Sequence, residues 1–194
     1  MSFTDSVMLG GKHVRLEPLA MSQHDALVEA VQDGEMWKLW YTNIPKPAEM
    51  QQEIARRLEL QAKGEMLPFA VRRLDTQAIC GMTTFMHIDA KNRRMEIGST
   101  WLNQSAQKCL INTEAKFLLL SYAFEDLKCI AVQLCTNYFN LQSRSAIARL
   151  GAKQDGILRN ASIMPNGTYR DTVVFSIIES EWPSVKQHLR YKLA

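Results

Sequence analysis

The sequence predicts an α/β (α+β) fold in a single domain, residues 1–194. It is a mixed, mostly antiparallel twisted sheet of about seven strands, splayed after the fourth strand and flanked by about five helices. Three observations carry this. Between residues 67 and 102 three strand-like runs follow one another through short polar turns, the pattern of an antiparallel meander. An apolar helix then stands between two strand-like runs, as a crossover between parallel neighbours requires. No repeat, low-complexity tract or linker interrupts the chain, so a second domain has no support.

"HVRLEPL" (13–19) alternates Val14 and Leu16 with charged neighbours and ends in proline, which suits a first strand at a sheet edge. "SQHDALVEAVQD" (22–33) is a helix with Ser22 as cap and Gly34 as stop. After the aromatic, proline-interrupted "EMWKLWYTNIPKP", residues 48–64 form a second amphipathic helix closed by Gly64. The meander follows: "LPFAVRRL" (67–74), "QAICGMTTFMHI" (77–88) and "MEIGSTWL" (95–102). A third helix runs from about Asn112 to Leu127, and "CIAVQLCTN" (129–137) reads as a buried strand. "SRSAIARLG" (143–151) is a short helix, "GILRNASIM" and "TYRDTVVFSII" are strands around the "PNG" turn, and a last helix starts near Glu181. Arg159 and Asp171 face each other across that turn as a structural pair.

The composition, 46% apolar and 22% charged, is that of a globular protein, and 194 residues bury roughly 70% of the unfolded chain's surface. The net charge of +3 is scattered rather than massed, so no nucleic-acid partner is expected, while a mildly anionic ligand is compatible. Cys80, Cys109, Cys129 and Cys135 lack C-x-x-C spacing and no secretory leader is evident, so free thiols and a cytoplasmic location are expected. Apolar runs such as "FLLL" (117–120) are far short of the ~20 residues of a membrane span, so no membrane partner is expected. His13, His24, His87 and His188 show no paired ligand spacing, which argues against a metal site.

Gly98 interrupts an otherwise good strand. A glycine there marks a bulge or a place where something approaches the backbone closely. A bulge would splay "MEIGSTWL" from "CIAVQLCTN" and open a slot toward the helix start near Asn112. Unpaired N–H groups and a positive dipole end there suit a phosphate or pyrophosphate, with Lys108 adding charge. The plainer alternative is that Gly98 relieves crowding and that Asn112 or Thr113 only caps a helix.

From "MEIGSTWL" through "NTEAKFLLLSYAF", "NLQSRSAIARLGA" and "GILR…MPNGTYRD…FSII…EWP", the order and spacing resemble the GNAT acetyltransferases, in particular the RimJ/RimL-like branch that includes ribosomal-protein N-terminal acetyltransferases. The opening "HVRLEPL" fits that branch's first strand. The resemblance implies acetyl transfer from acetyl-CoA, as co-substrate, to a primary amine by direct attack in a ternary complex. It maps the pantetheine arm onto Thr100, Trp101 and Leu102, and the pyrophosphate onto Gln107, Lys108, Cys109, Leu110, Ile111, Asn112 and Thr113. The family's Q/R-x-x-G-x-G/A signature is matched at Gln107, whereas Leu110 and Asn112 replace its small residues. The anion donors are main-chain N–H groups, so leucine is compatible if the loop keeps ordinary helical φ and ψ, giving a CoA site with bulkier walls and reduced affinity.

For the chemistry, Glu96 shares the sheet face of Gly98 and is the candidate base, acting through a water; the alternative is an ion pair with a neighbouring strand or with Arg93 or Arg94. Many relatives supply a tyrosine acid where this chain has Ile147. Ser143 is the substitute acid, with Asn140 contacting the cofactor arm, and both also suit helix capping. Trp37, Trp40 and Tyr41 occupy the segment where the family builds one wall of its acceptor site, although such residues also serve as core. A protein N-terminal α-amine is the first candidate acceptor. A small-molecule amine, or CoA binding with little or no catalysis, are the alternatives. The resemblance also implies a possible homodimer, to which the helix after "EWP" could contribute.

Overall fold

The computed structural model describes residues 3–194. Its strands are β1 (Leu9–Gly10), β2 (Val14–Pro18), β3 (Met66–Arg73), β4 (Ile79–Asp89), β5 (Arg94–Leu102), β6 (Ala131–Asn137), β7 (Lys153–Ile163) and β8 (Tyr169–Ile178). The helices are α1 (His24–Gln32), α2 (Met50–Ala62), α3 (Leu110–Ser121), α4 (Leu141–Arg149) and α5 (Trp182–Leu193). One sheet holds every strand in the order β1-β2-β3-β4-β5-β6-β8-β7. All neighbours are antiparallel except β5 and β6, which the α3 crossover makes parallel. The eighth strand, beyond the seven expected, is the two-residue β1, too short to leave a periodic trace. It covers β2, so "HVRLEPL" is not the edge.

Several element boundaries differ from expectation, three of them at the starts or ends of helices with a capping role. Ser22 does not cap α1: a 3-10 turn at Met21–Gln23 precedes the helix, and the Gln23 side chain accepts the Ala20 N–H at 2.9 Å. The third helix begins at Leu110, not Asn112, and its last turn loosens into a π-helical segment at Tyr122–Asp126. α4 begins at Leu141, with Asn140 as its cap.

The sheet's two faces are covered unequally. On one face α3 and α5 pack a core that runs the sheet's breadth, from Val14 and Leu16 through Phe85 and Ile97 to Leu134, Phe175 and Ile177. On the other, α1 and α2 cover only the first half, burying Leu27, Met50 and Ile54 against Ala70, Met82 and Trp101. α3 is tied to the β1–β2 turn by the buried Glu114 carboxylate, which accepts the N–H groups of Lys12, His13 and Val14 at 2.7–2.8 Å. Gly11 is required beside it, because a Cβ there would lie 2.4 Å from the Glu114 carboxyl carbon.

Candidate active site

β5 and β6 pair at Arg94↔Ala131, Met95↔Val132 and Glu96↔Gln133, and part beyond that point. The expected splay therefore opens at Glu96. A bulge drives it: Thr84 pairs with Gly98 but Met82 with Trp101, so Thr83 alone spans Ser99 and Thr100. The left-handed residue is Ser99, at φ 46°, rather than Gly98. Gly98 instead permits close approach, since a Cβ there would lie 2.6 Å from Met86 Sδ and 2.8 Å from Glu96 Oε1.

Two buried basic side chains brace the bulge from opposite faces. From α2, Arg57 donates to Thr84 Oγ1 at 2.6 Å and to the Ser99 carbonyl at 3.1 Å, with Glu53 as counter-ion at 2.7 Å. From α3, Lys116 Nζ bonds Thr100 Oγ1 at 2.7 Å and Thr83 Oγ1 at 3.2 Å. No carboxylate lies within 4.0 Å of Lys116 among the described residues, and burial pulls its pKa down to about 7. Sequence reasoning missed both. The one available signal was the spacing of Asn112, Thr113 and Lys116, which puts all three on one helix face.

Beyond the fork a cavity of about 1130 Å³ runs between β5 and β6, reached by α4 and by the segment before α2. At its inner end the Glu96 carboxylate, 8% exposed, pairs with His87 Nδ1 at 2.9 Å. The neighbouring-strand partner is thus His87 on β4, and neither Arg93 nor Arg94 bonds to it. Cys135 stands beside Glu96 on β6, its thiol pushed up to about 12 by burial first and by Glu96 second.

The other end of the cavity is the start of α3. Lys108 takes the left-handed turn at φ 56° and Cys109 is the N-cap, with no side chain among the described residues bonded to the helix's first N–H groups. An uncapped start leaves those donors free for an anion. Gln107, Lys108, Cys109, Asn112 and Thr113 line the cavity. Leu110 and Ile111 do not: the first is exposed at ordinary helical φ and the second is in the core, so only their main-chain N–H groups face the loop. Gln107 donates to the Leu102 carbonyl and accepts from Gln142 of α4, each at 3.1 Å, and so spans the slot. Thr100, Trp101 and Leu102 all line it, and the buried Trp101 Nε1 has no partner among the described residues.

Asn140 caps α4, its Oδ1 accepting the Ser143 N–H at 3.0 Å, and both residues line the cavity. Ile147 lines it as well, buried and without a proton to give. The three aromatics separate. Trp37 packs on the second core, Tyr41 lines the cavity, and Trp40, 49% exposed, sits against Tyr41 and Phe139 at 5.7 and 5.4 Å between ring centres. Arg170, on β8, also lines the cavity, and nothing in its sequence context marked it for a role there. Arg159 and Asp171 pair at 2.6 Å, as expected.

Residues 13–153 match the family model for the acetyltransferase (GNAT) domain. The chain belongs to the GNAT acetyltransferase family. This GNAT chain is 30% identical to a GCN5-related N-acetyltransferase from Brucella melitensis, whose crystal structure superposes over 98% of this chain and 86% of that one with a TM-score of 0.87. RimJ of Mycobacterium smegmatis, solved with CoA-disulfide, shares the fold with a TM-score of 0.84 at 19% identity, over 99% of this chain and 97% of that one. The "Putative ribosomal N-acetyltransferase YdaF" of Bacillus subtilis (strain 168) is 33% identical over 109 residues, 56% of this chain and 58% of that protein. The GNAT chain thus spans little more than half the length of that curated relative. No helix among the described residues is long and apolar enough to cross a membrane, no three His, Cys, Asp or Glu side chains among them are grouped as metal ligands, and all four cysteines are free thiols.

Proposed function

We propose that this GNAT chain, working as one domain, is an acetyl-CoA-dependent N-acetyltransferase that acetylates a primary amine by direct attack in a ternary complex. The observation that carries the reading is one cavity with an uncapped helix start at one end and the Glu96 carboxylate at the other. Acetyl-CoA supplies the acetyl group already activated as a thioester. The α3 N–H groups with Lys108 hold its pyrophosphate, and the β5 backbone at Thr100 to Leu102, left free by the splay, takes its arm. The ordinary helical φ of Leu110 supports this despite the missing glycines.

Glu96 takes the proton from the acceptor ammonium, directly or through one water, and His87 fixes the carboxylate's rotation. Ser143, whose backbone is pinned by the Asn140 cap, presents its hydroxyl as acid toward the departing sulfur. A protein N-terminus is the favoured acceptor, because the exposed aromatic cluster of Trp40, Tyr138 and Phe139, which adjoins the cavity-lining Tyr41, offers an apolar surface to the chain that follows the amine. The name of the YdaF relative, a putative ribosomal N-acetyltransferase, points the same way, toward a ribosomal protein and a cytoplasmic setting. A homodimer remains part of the reading on family grounds.

Ile147 in the usual acid position favours a second reading, CoA binding with little catalysis. Steady-state thiol release over a panel of amines and N-terminal peptides separates the two. Turnover that falls by about 10²-fold in Glu96→Gln supports the enzyme, in line with the usual contribution of a general base. Tight acetyl-CoA binding without turnover on any acceptor, or turnover indifferent to Glu96→Gln, defeats it.

A further inference from the structure

The inner end of the cavity contains a second charge that the acetyl-transfer reading leaves without work. Arg170 precedes Thr172 by two residues on β8, and its Nε donates to Thr172 Oγ1 at 3.1 Å. That bond lays the side chain back along β8, toward the positions where Asn137 pairs with Thr172 and Cys135 with Val174. The guanidinium is half-buried, and burial lowers its hold on its proton, while Cys135 and Glu96 act in the opposite direction. It stands close enough to Glu96 to feel that carboxylate, yet no carboxylate oxygen lies within 4.0 Å of it among the described residues.

The contrast with Arg57, the buried arginine of the cavity, is informative. Arg57 is fully committed, to Glu53, Thr84 and the Ser99 carbonyl. Arg170 has one bond through Nε, and its two terminal nitrogens have none among the described residues. A half-buried guanidinium with a free fork is costly unless something anionic meets it, and its planar geometry fits a carboxylate with two parallel bonds. Cys135 does not serve as that anion, because its thiol keeps its proton to about pH 12. Glu96 and Arg170 are therefore opposite charges in one cavity, coupled but held apart, which is the arrangement that receives a ligand bearing both an ammonium and a carboxylate.

We propose that Arg170 is a specificity residue that binds a carboxylate next to the acceptor amine, so that the preferred acceptor is a peptide N-terminus with Asp or Glu as its first or second residue. The proposal rests on the acetyl-transfer reading for the role of the amine. Arg170 itself moves no proton; it orients the acceptor so that the amine, and not the carboxylate, meets Glu96. The exposed Leu158 of β7, which lines the cavity, leaves room for the peptide to continue outward.

The test uses peptide pairs that differ only by Glu against Gln, or Asp against Asn, at residues one and two. Wild type is expected to favour the acidic member by at least about tenfold in kcat/KM, the discrimination one charge-assisted fork supplies. Arg170→Gln is expected to bring that ratio close to one, Arg170→Lys to retain part of it, and Arg170→Glu to move the preference toward Lys-containing peptides. Calorimetric titration of the same peptides into CoA-saturated protein is expected to show the same order without any turnover. A wild-type ratio near one overturns the proposal, as does Arg170→Gln lowering both members of each pair by a common factor. Absence of turnover on every peptide strikes the acetyl-transfer reading instead, and the calorimetric order then still decides for or against the acidic acceptor.

Discussion

Lys116 is a primary amine held away from water with two threonine hydroxyls and, among the described residues, no counter-charge. Its burial is unfavourable for the charged form, and nothing local offsets this. Thr83 and Thr100 also bond each other at 2.8 Å, so they keep a partner if the amine is removed. The sign of the resulting pH dependence follows from where the proton sits. The unfolded chain holds it up to the ordinary value of 10.5, the folded chain only to about 7. Between those values the unfolded state binds more protons, so stability rises with pH, and below about 7 the cost is present in full. Lys116→Met is therefore expected to be more stable than wild type at pH 6, by urea midpoint, with the gap shrinking as pH approaches 10. A gap that does not change with pH contradicts the lowered value.

α3 concentrates the site's features in one element: an uncapped start, a left-handed Lys108 before it, and Lys116 on the cavity face. Its N-cap supplies a chemical probe. Cys109 is exposed, whereas burial pushes Cys80 up to about 12, Cys129 to about 11 and Cys135 to about 12, leaving those thiols protonated and slow. Iodoacetamide is expected to label Cys109 first in the native protein, and saturating acetyl-CoA to slow that labelling severalfold by covering the helix start. Peptide mass spectrometry reads both, and labelling at an unchanged rate under saturation counts against the pyrophosphate assignment. The elements themselves were legible because period-two and period-3.6 patterns record which face is buried. The splay was legible too, since a glycine such as Gly98 weakens a strand interior unless a bulge or a close approach requires it. The start of α3 was not, because its cap is a cysteine without a capping bond and the familiar cap residues Asn112 and Thr113 lie inside the helix. Ser99 was hidden for a related reason: its left-handed φ is held by Arg57 from α2, forty-two positions away. Arg170 carries no local signature and Lys116 only its helix-face spacing with Asn112 and Thr113, because what makes both unusual is burial against strands distant in sequence.

At the scale of the molecule, the sheet is two halves joined by a short seam. β5 and β6 share only the pairs from Arg94 to Glu96, and the α1–α2 layer stops short of β6, so continuity depends on the core that α3 and α5 pack on one face. The cavity lies along the open part of that seam, with Thr100, Trp101 and Asn112 from one half and Thr136, Asn140 and Ser143 from the other. A ligand seated there adds cross-half contacts that the unligated chain lacks, and it binds the folded state alone. At a hundred times its dissociation constant such a ligand stabilises by about 2.7 kcal/mol. For a chain of this length that corresponds to a rise in Tm of about 5–10 °C. The rise is expected to be distributed unevenly. Amide hydrogen exchange should slow most in β6, α4 and the paired part of β8, which the seam holds least, and little in β3 and β4, which both layers already cover. Uniform slowing over the whole sheet would mean that the halves already open as one unit, and slowing confined to α3 would mean that the ligand touches the helix start without bridging the seam.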